Sequence, residues 1–396
     1  MLTENSAALE KGIPVSKKFN AKSPYDFTGK KFQSCNGEET IYGKYKVRNS
    51  VGGYNRTINM TRAAEFSVNT YFIQLELAAG MCRVTKMAEK LGVKVGTAIG
   101  APPVDIVKEY NDKPSFTLGT AEVSPLSMAE AYATFAARGI HCDPIIISKI
   151  TTRTGKKIDP PSANCERVID SDVADGVNKV LKSVIDKGTG TRAKAPGGHP
   201  QAGKTGTIDS NAAVWFAGYT PEIAAVAMVS IDNRAKPFIK GKSGYRKGLK
   251  GYRIPSNDRT LEGSGSGDSG QYIWKPVMTK YLEDTPKTRF KEPSKKLKTG
   301  KMDRVPSIYG MSISSAEKKL RKKGFTIEKT YVYSSARKYS FLGWSPGPGS
   351  RVPQFGTIYQ RWSKGVDPND KRRKAAEKKA KAAAKKARKA AEKARD

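Results

Sequence analysis

Between residues 202 and 231 the chain carries three strand-like runs, 202–207, 213–218 and 223–231, separated by gaps only long enough for turns. Gaps that short join antiparallel neighbours and leave no room for a crossover helix. The first gap, Ile208-Asp209-Ser210-Asn211, has turn composition. The segments ahead of these strands are helical in pattern. Val68, Phe72, Ile73 and Leu75 mark a helix over 68–79, and a second over 81–91 is stopped by Gly92. A small-faced third helix spans 128–137 before Gly139, and 173–184 again has helical spacing. Helices first and an antiparallel meander after them give an α+β fold.

With 396 residues, 37% of them hydrophobic, the chain can build one large core or two smaller ones. That excludes a disulfide miniprotein and a fully disordered chain. Seventy-two Lys+Arg against 37 Asp+Glu leave a net charge of +35, which selects polyanionic partners: nucleic acid, an anionic membrane surface or an anionic wall polymer. No apolar run reaches the roughly 18 residues a membrane helix needs, and the first residues lack the pattern of a signal peptide.

Composition changes along the chain. Residues 285–303 are basic, contain two prolines and lack apolar periodicity, and so read as a linker after a first domain over 1–284. Residues 304–365 regain aromatic and β-branched residues between Gly/Pro turns, as a small second domain would. A Lys/Ala-rich basic tail follows over 366–396. Its residues 371–396 hold 13 basic and 3 acidic side chains with no apolar stripe, and are expected to stay solvated. Residues 236–259 carry eight basic residues and one acid among glycines, and read as an exposed loop region.

Two short motifs carry the chemistry. Ser67-Val68-Asn69 is an S-x-N at a helix start, and Lys204-Thr205-Gly206 is a K-T-G on the first strand of the meander. Taken singly, Ser67 reads as a helix N-cap and Lys204 as a solvated edge-strand lysine. A second K-T-G, Lys298-Thr299-Gly300, has no flanking strand and reads as chance. The two histidines, His141 and His199, lie in loop-like segments without partner motifs and read as surface or structural residues. With four cysteines and no C-x-x-C, no metal site and no cofactor are expected. Cys142 and Cys165 flank a strand-like stretch and can pair, as can Cys35 and Cys82; four unpaired buried thiols are the alternative.

Around these motifs stand AALEKGIPVS (7–16), EFSVNTYFIQLE (65–76), LGTAEVSPLSMAEAYATFAARG (118–139), KGTGTRA (187–193), AGKTGT (202–207), AVWFAGYTPE (213–222) and IWKPVM (273–278). In this order they resemble the transpeptidase domain of a class A penicillin-binding protein, a sheet covered by helices as in the serine β-lactamases. Residues 304–365, with VPSIYGMSISSAEKKLRKKGF and SPGPGSRVPQFGTIYQRWSKG, resemble a PASTA domain. The resemblance implies D-Ala-D-Ala transpeptidation in peptidoglycan synthesis, a site that also takes β-lactams, and an extracytoplasmic location. It implies that Ser67 shuttles a proton to the departing D-alanine amine, that Asn69 orients the substrate amide and that Lys204 polarises Ser67. Thr205 and Thr207 would contact the substrate carboxylate. Gly206 would let the substrate backbone approach the strand, and the Thr207 N–H would form half of an oxyanion hole. Arg192 of GTGTRA would lean over the site or remain a loop arginine.

The family also needs S-x-x-K, a serine nucleophile with a lysine to take its proton. Counting back from AALEKG places that lysine near Met1 and the serine about three residues before it, so the expectation is a polypeptide cut short of its nucleophile and of the sheet's first two strands. Ser315-Ala316-Glu317-Lys318 fits the spacing but falls within the PASTA-like helix, where Ser314 and Glu317 read as a capping box. Two rival readings stand beside this one. A non-catalytic cell-wall-binding module rests on residues 304–365 and the charge. A basic nucleic-acid-binding protein rests on the charge alone. The aromatics Tyr331, Tyr333, Trp344, Tyr359 and Trp362 could serve sugars or strand packing, and the tail could hold anionic polymer or lipid headgroups.

Overall fold

The computed structural model describes residues 1–50, 55–97, 101–370, 372 and 382. The chain separates into two compact units, Met1–Lys301 and Met302–Asp396. Most of the basic tail lies outside the described residues.

The first unit is organised around helix Leu2–Glu10, in which eight of nine residues are buried. Helices Asn69–Ala79, Met81–Lys90 and Ser171–Lys187 pack round it. Ser171–Lys187 shows why such a sequence folds this way. Asp170 caps its start, and Val173, Val177, Val180, Leu181 and Val184 form one apolar stripe at helical spacing. That helix packs on strand Ala202–Thr207. The strands Ala202–Thr207, Ala213–Tyr219 and Ala224–Ser230 form one antiparallel sheet in that order, with Lys204 opposite Ala217 and Gly206 opposite Trp215. Helix Pro125–Ala136 packs against its second and third strands.

On the sheet, Phe216 and Trp274 meet edge to face at 5.0 Å, and the Trp274 Nε1–H donates to the Ala225 carbonyl at 3.0 Å. Gly218 makes this possible: a Cβ there would lie 2.7 Å from the indole ring. Trp274 ends a ten-residue π-helical stretch, Gly265–Trp274, that continues into helix Lys275–Leu282. The stretch is anchored by the fully buried Asp268, which accepts from the Gly263 and Ser264 amides and pairs with Arg259.

Two expectations are corrected here. Residues 285–303 are no free linker. Phe290 packs edge to face on Tyr219, Ser294 hydrogen-bonds Asp172, and Lys179 pairs with Glu292. Helix Lys295–Thr299 then places Leu297 against Gly176, whose missing side chain provides the room. Its Lys298-Thr299-Gly300 is the end of that helix. Residues 236–259 are only partly an exposed loop, because Phe238 and Leu249 are buried and Leu249 joins Val214 and Leu261 in a small core. Of the two readings of the histidines, the structural one holds: His199 is 5% exposed, and His141 sits on a short strand with its ring against Glu130. The structure joins Cys35 to Cys82 and Cys142 to Cys165.

In the second unit, helix Ile313–Lys322 lays Ala316 and Leu320 on a sheet in which Thr326–Val332 pairs parallel with Thr357–Ser363, and Phe341–Ser345 pairs antiparallel with it. Its N-cap is Ser312, whose Oγ accepts from the Ser315 N–H, in place of the expected Ser314/Glu317 box. Glu317 instead binds Arg321 and Gln360. Tyr331 and Tyr333 are exposed, while Trp344, Tyr359 and Trp362 are half-buried. No helix among the described residues is long and apolar enough to cross a membrane.

Candidate active site

Ser67 occupies the turn between helices Met60–Glu65 and Asn69–Ala79. It is not the N-cap, which is Val68. Ser67 instead has φ +53°, a left-handed conformation that costs a non-glycine residue roughly 1–2 kcal/mol. The turn is fixed by the Ser67 and Val68 amides, which donate to the Ala64 and Ala63 carbonyls. It sends the Ser67 side chain toward the sheet.

There it meets Lys204. The ammonium nitrogen lies 2.9 Å from Ser67 Oγ and donates to the Thr205 carbonyl at 2.8 Å. Lys204 is 7% exposed, so it is a buried lysine and not a solvated one. Burial disfavours its charged form and lowers its pKa to about 7. An amine poised there can both take and return a proton near neutrality.

From Lys204 the strand runs outward. Thr205 and Gly206 are half-buried and Thr207 is exposed, so a ligand can reach the strand at this end. Ala202–Thr207 is an edge of its sheet in the described residues, paired only with Ala213–Tyr219. Asn69 opens its helix two residues after Ser67, and its Nδ2 donates to the Arg48 carbonyl at 2.9 Å. Its side chain is thus held to that loop, whereas Ser67 and Lys204 are in direct contact. Arg192 is engaged by the segment 262–271. It forms a bidentate pair with Glu262 and donates to Gln271.

Sequence reasoning passes over Thr189. Its amide donates to the Glu65 carbonyl at 2.8 Å, and its hydroxyl meets that of Thr205 at 2.9 Å. Thr189 therefore ties the helix leading to Ser67 to the strand bearing Lys204. Gly188 permits the approach, since a Cβ there would sit 2.4 Å from the Glu65 carbonyl oxygen. The signal is the Gly-Thr-Gly of 188–190, which carries part of the resemblance but suggests no role. Helix Leu2–Glu10 abuts the same site: Met1 Sδ lies 3.8 Å from Ser67 Oγ.

Against known proteins, residues 16–247 match the model of the penicillin binding protein transpeptidase domain, more than half of the chain. The chain belongs to the penicillin-binding protein transpeptidase family. Among curated relatives, penicillin-binding protein 1A of Neisseria lactamica is 31% identical over 245 residues, 61% of this chain and 28% of that protein. Penicillin-binding protein 1A of Aquifex aeolicus is 30% identical over 244 residues, 61% of this chain and 30% of that protein. The chain thus spans under a third of the length of these curated relatives.

Among solved structures, penicillin-binding protein PonA1 from Mycobacterium tuberculosis is similar with a TM-score of 0.54 and 25% identity, covering 74% of this chain and 70% of that one. The same protein in complex with penicillin V gives 0.52 at 23% identity, covering 74% and 70%. Penicillin-binding protein 1A from Haemophilus influenzae gives 0.54 at 21% identity, covering 78% and 46%. These last two matches speak to the fold, and the α+β architecture is that of penicillin-binding transpeptidases. Ser67 and Lys204 both lie within the segment matched by the transpeptidase family.

Proposed function

We propose that residues 67–69 and 204–207 are the second and third motifs of a D-Ala-D-Ala transpeptidase site that serves peptidoglycan synthesis and takes β-lactams. The observation that carries this is the 2.9 Å contact between Ser67 and a buried Lys204, 137 residues apart in sequence. Neutral Lys204 takes the Ser67 proton as Ser67 accepts the proton of the attacking serine, and then returns it through Ser67 to the departing D-alanine amine; in the second half-reaction the relay takes a proton from the incoming amine in the same way. The Asn69 carboxamide faces the substrate amide. Thr205 and Thr207 bind the terminal carboxylate, Gly206 lets the substrate backbone lie along the strand edge, and the Thr207 N–H helps stabilise the oxyanion. Thr189 positions Thr205. A site of this kind acts outside the membrane, and the two disulfides suit an oxidising compartment.

The attacking serine is a separate matter. No serine in residues 1–301 has a lysine three positions on. The two S-x-x-K matches, Ser315 to Lys318 and Ser335 to Lys338, both belong to the second unit. The count back from AALEKG puts the family's lysine near Met1, and Met1 Sδ does lie beside Ser67 Oγ. The polypeptide of residues 1–396 by itself is therefore proposed to be inactive in acyl transfer. Residues 304–365 are proposed to be a PASTA domain that holds peptidoglycan, the basic tail binding anionic polymer or lipid headgroups.

Fluorescent penicillin tests the assignment. Residues 1–396 are expected to give no covalent adduct, whereas a version extended ahead of Met1 by an S-x-x-K segment in the family's frame is expected to label one-to-one. Label on the unextended chain, or none on a folded extended chain, would contradict the reading. The PASTA-like residues 304–365 and the net charge of +35 also favour a second reading, a wall-binding protein without catalysis. It is distinguished by retention on purified peptidoglycan with no labelling of either form.

A further inference from the structure

Away from the Ser67–Lys204 site, the fold gathers three metal-ligating side chains from two neighbouring segments. Glu130 lies on helix Pro125–Ala136, His141 on the strand Ile140–His141 that follows, and Asp143 two residues further on. One ligating atom from each falls within 4.8 Å of the others, and His141 Nε2 is 2.7 Å from Glu130 Oε1. We propose that Glu130, His141 and Asp143 bind a divalent transition-metal ion of the zinc class. This goes beyond the transpeptidase reading and does not depend on it.

The surroundings are built to hold these groups. Glu130 and His141 have side chains only 5% and 12% exposed, so the ion would be largely shielded from water. Asp143 is the most open of the three, and leaves a path for a hydrated ion and a fourth position for water. Ligand atoms at about 2.1 Å from a tetrahedral ion stand roughly 3.4 Å apart, a spacing the three reach with small side-chain movements. Cys142, between two of the ligands, is bonded to Cys165, and His141 pairs across strands with Glu166. The Asp143 amide donates to the Ala163 carbonyl, and the Asn164 side chain donates to Asp143 Oδ2. The backbone carrying His141 and Asp143 is therefore held in place from both sides.

Gly92 is the second independent feature. Its φ of +72° favours glycine, and a Cβ there would lie 2.4 Å from both Glu130 Oε1 and His141 Nε2, so the turn after helix Met81–Lys90 lies directly against the ligands. Ser127 closes the arrangement, accepting from the Lys94 amide and donating to the Gly92 carbonyl. One imidazole with two carboxylates is a donor set for zinc or a neighbouring first-row ion; calcium and magnesium sites are built from oxygens alone. Such an ion would staple helix, strand and turn.

The test uses the untagged chain of residues 1–396 with its disulfides intact, which has no free thiol to compete. The other histidine, His199, is buried away from solvent. After treatment with chelator and dialysis, ZnCl2 is titrated against a chromophoric competitor. The expectation is one zinc per chain, a Tm that rises with zinc, and, with Co²⁺ in its place, the visible absorption of a tetrahedral site. His141→Ala and Asp143→Ala should each weaken binding by at least about tenfold and abolish the Tm rise. Asp143 is the outermost ligand, so its variant decides the matter if His141→Ala does not fold. No zinc or Co²⁺ binding by the parent chain, or unchanged affinity in the Asp143→Ala variant, overturns the proposal.

Discussion

Replacing Lys204 by alanine in the extended, S-x-x-K-bearing form is expected to slow acylation by penicillin by about 10²- to 10⁴-fold, the usual range for loss of a positioned proton-transfer group. Lys204→Arg should do no better, because arginine keeps its charge and cannot accept the Ser67 proton. The pH dependence follows from burial. Lys204 titrates near 7, so its neutral form grows as pH rises through that value. The acylation rate should climb across the same range and then level off, and the Lys204→Ala protein should lose that step. Stopped-flow labelling at a series of pH values measures both.

The same lysine acts on stability with a definite sign. Between about pH 7 and its ordinary value of 10.5, folded Lys204 is neutral while the unfolded residue still holds its proton. Unfolding then takes up a proton, so Lys204 makes the chain more stable as pH rises, by at most about 1.4 kcal/mol per pH unit.

The second large effect is expected at Glu76, and it runs the other way. Glu76 is fully buried on helix Asn69–Ala79, and its carboxylate has no close, well-aligned hydrogen bond among the described residues, only weak contact with the Thr117 hydroxyl and amide. Thr117, beside it, donates to the neighbouring buried Glu4. Burial first, and the charge of Glu4 second, push the Glu76 pKa well above the ordinary carboxyl value. Between pH 4.5 and that raised value the folded group keeps a proton that the unfolded one has lost. Unfolding releases it, so stability falls as pH rises. Glu76→Gln removes the titration and keeps the shape. At neutral pH the variant should be more stable by about 1–3 kcal/mol, with the gain vanishing toward pH 4. Urea midpoints across pH 4–9 give the comparison; a variant less stable than its parent at every pH would show that the carboxylate is matched by its surroundings.

How much of this is legible in the sequence depends on whether local pattern and tertiary context agree. The stripe of Val173, Val177, Val180 and Leu181 identifies its helix within a few residues of Ser171–Lys187, and the three strands fall where alternation and turns put them. The hairpin Lys31–Ser34/Gly37–Thr40 and the other short strands ahead of residue 202 escape such a reading, because runs of two to four residues carry too little periodicity. The π-helical Gly265–Trp274 is equally hidden. Its composition, GSGDSGQYIW, suggests a loop, and what holds it is the tertiary anchor of Asp268 and the burial of Trp274. The docking of 285–301 is invisible because single residues, Phe290 and Leu297, find pockets within the first unit without any repeat to announce them.

The candidate site divides in the same way. Residue type and order are enough to pick out Ser67, Asn69 and Lys204–Thr207. Their conformations are not readable. The left-handed backbone of Ser67 and the burial of Lys204 arise from how the turn after Met60–Glu65 meets the sheet. Thr189 bridges two elements that are remote in sequence, and nothing in a Gly-Thr-Gly triplet says which carbonyl it will meet.

The claim on which the rest depends is that Ser67 and Lys204 share one proton path, and it can be examined in residues 1–396 as they stand. Ser67→Cys places the only free thiol of the disulfide-bonded chain beside the Lys204 amine. A lysine within hydrogen-bond reach lowers the thiol pKa, so iodoacetamide should modify the introduced thiol at pH 7 about tenfold faster than in the Ser67→Cys/Lys204→Met double variant. Equal rates in the two proteins, with both folded, would mean that the two side chains do not meet.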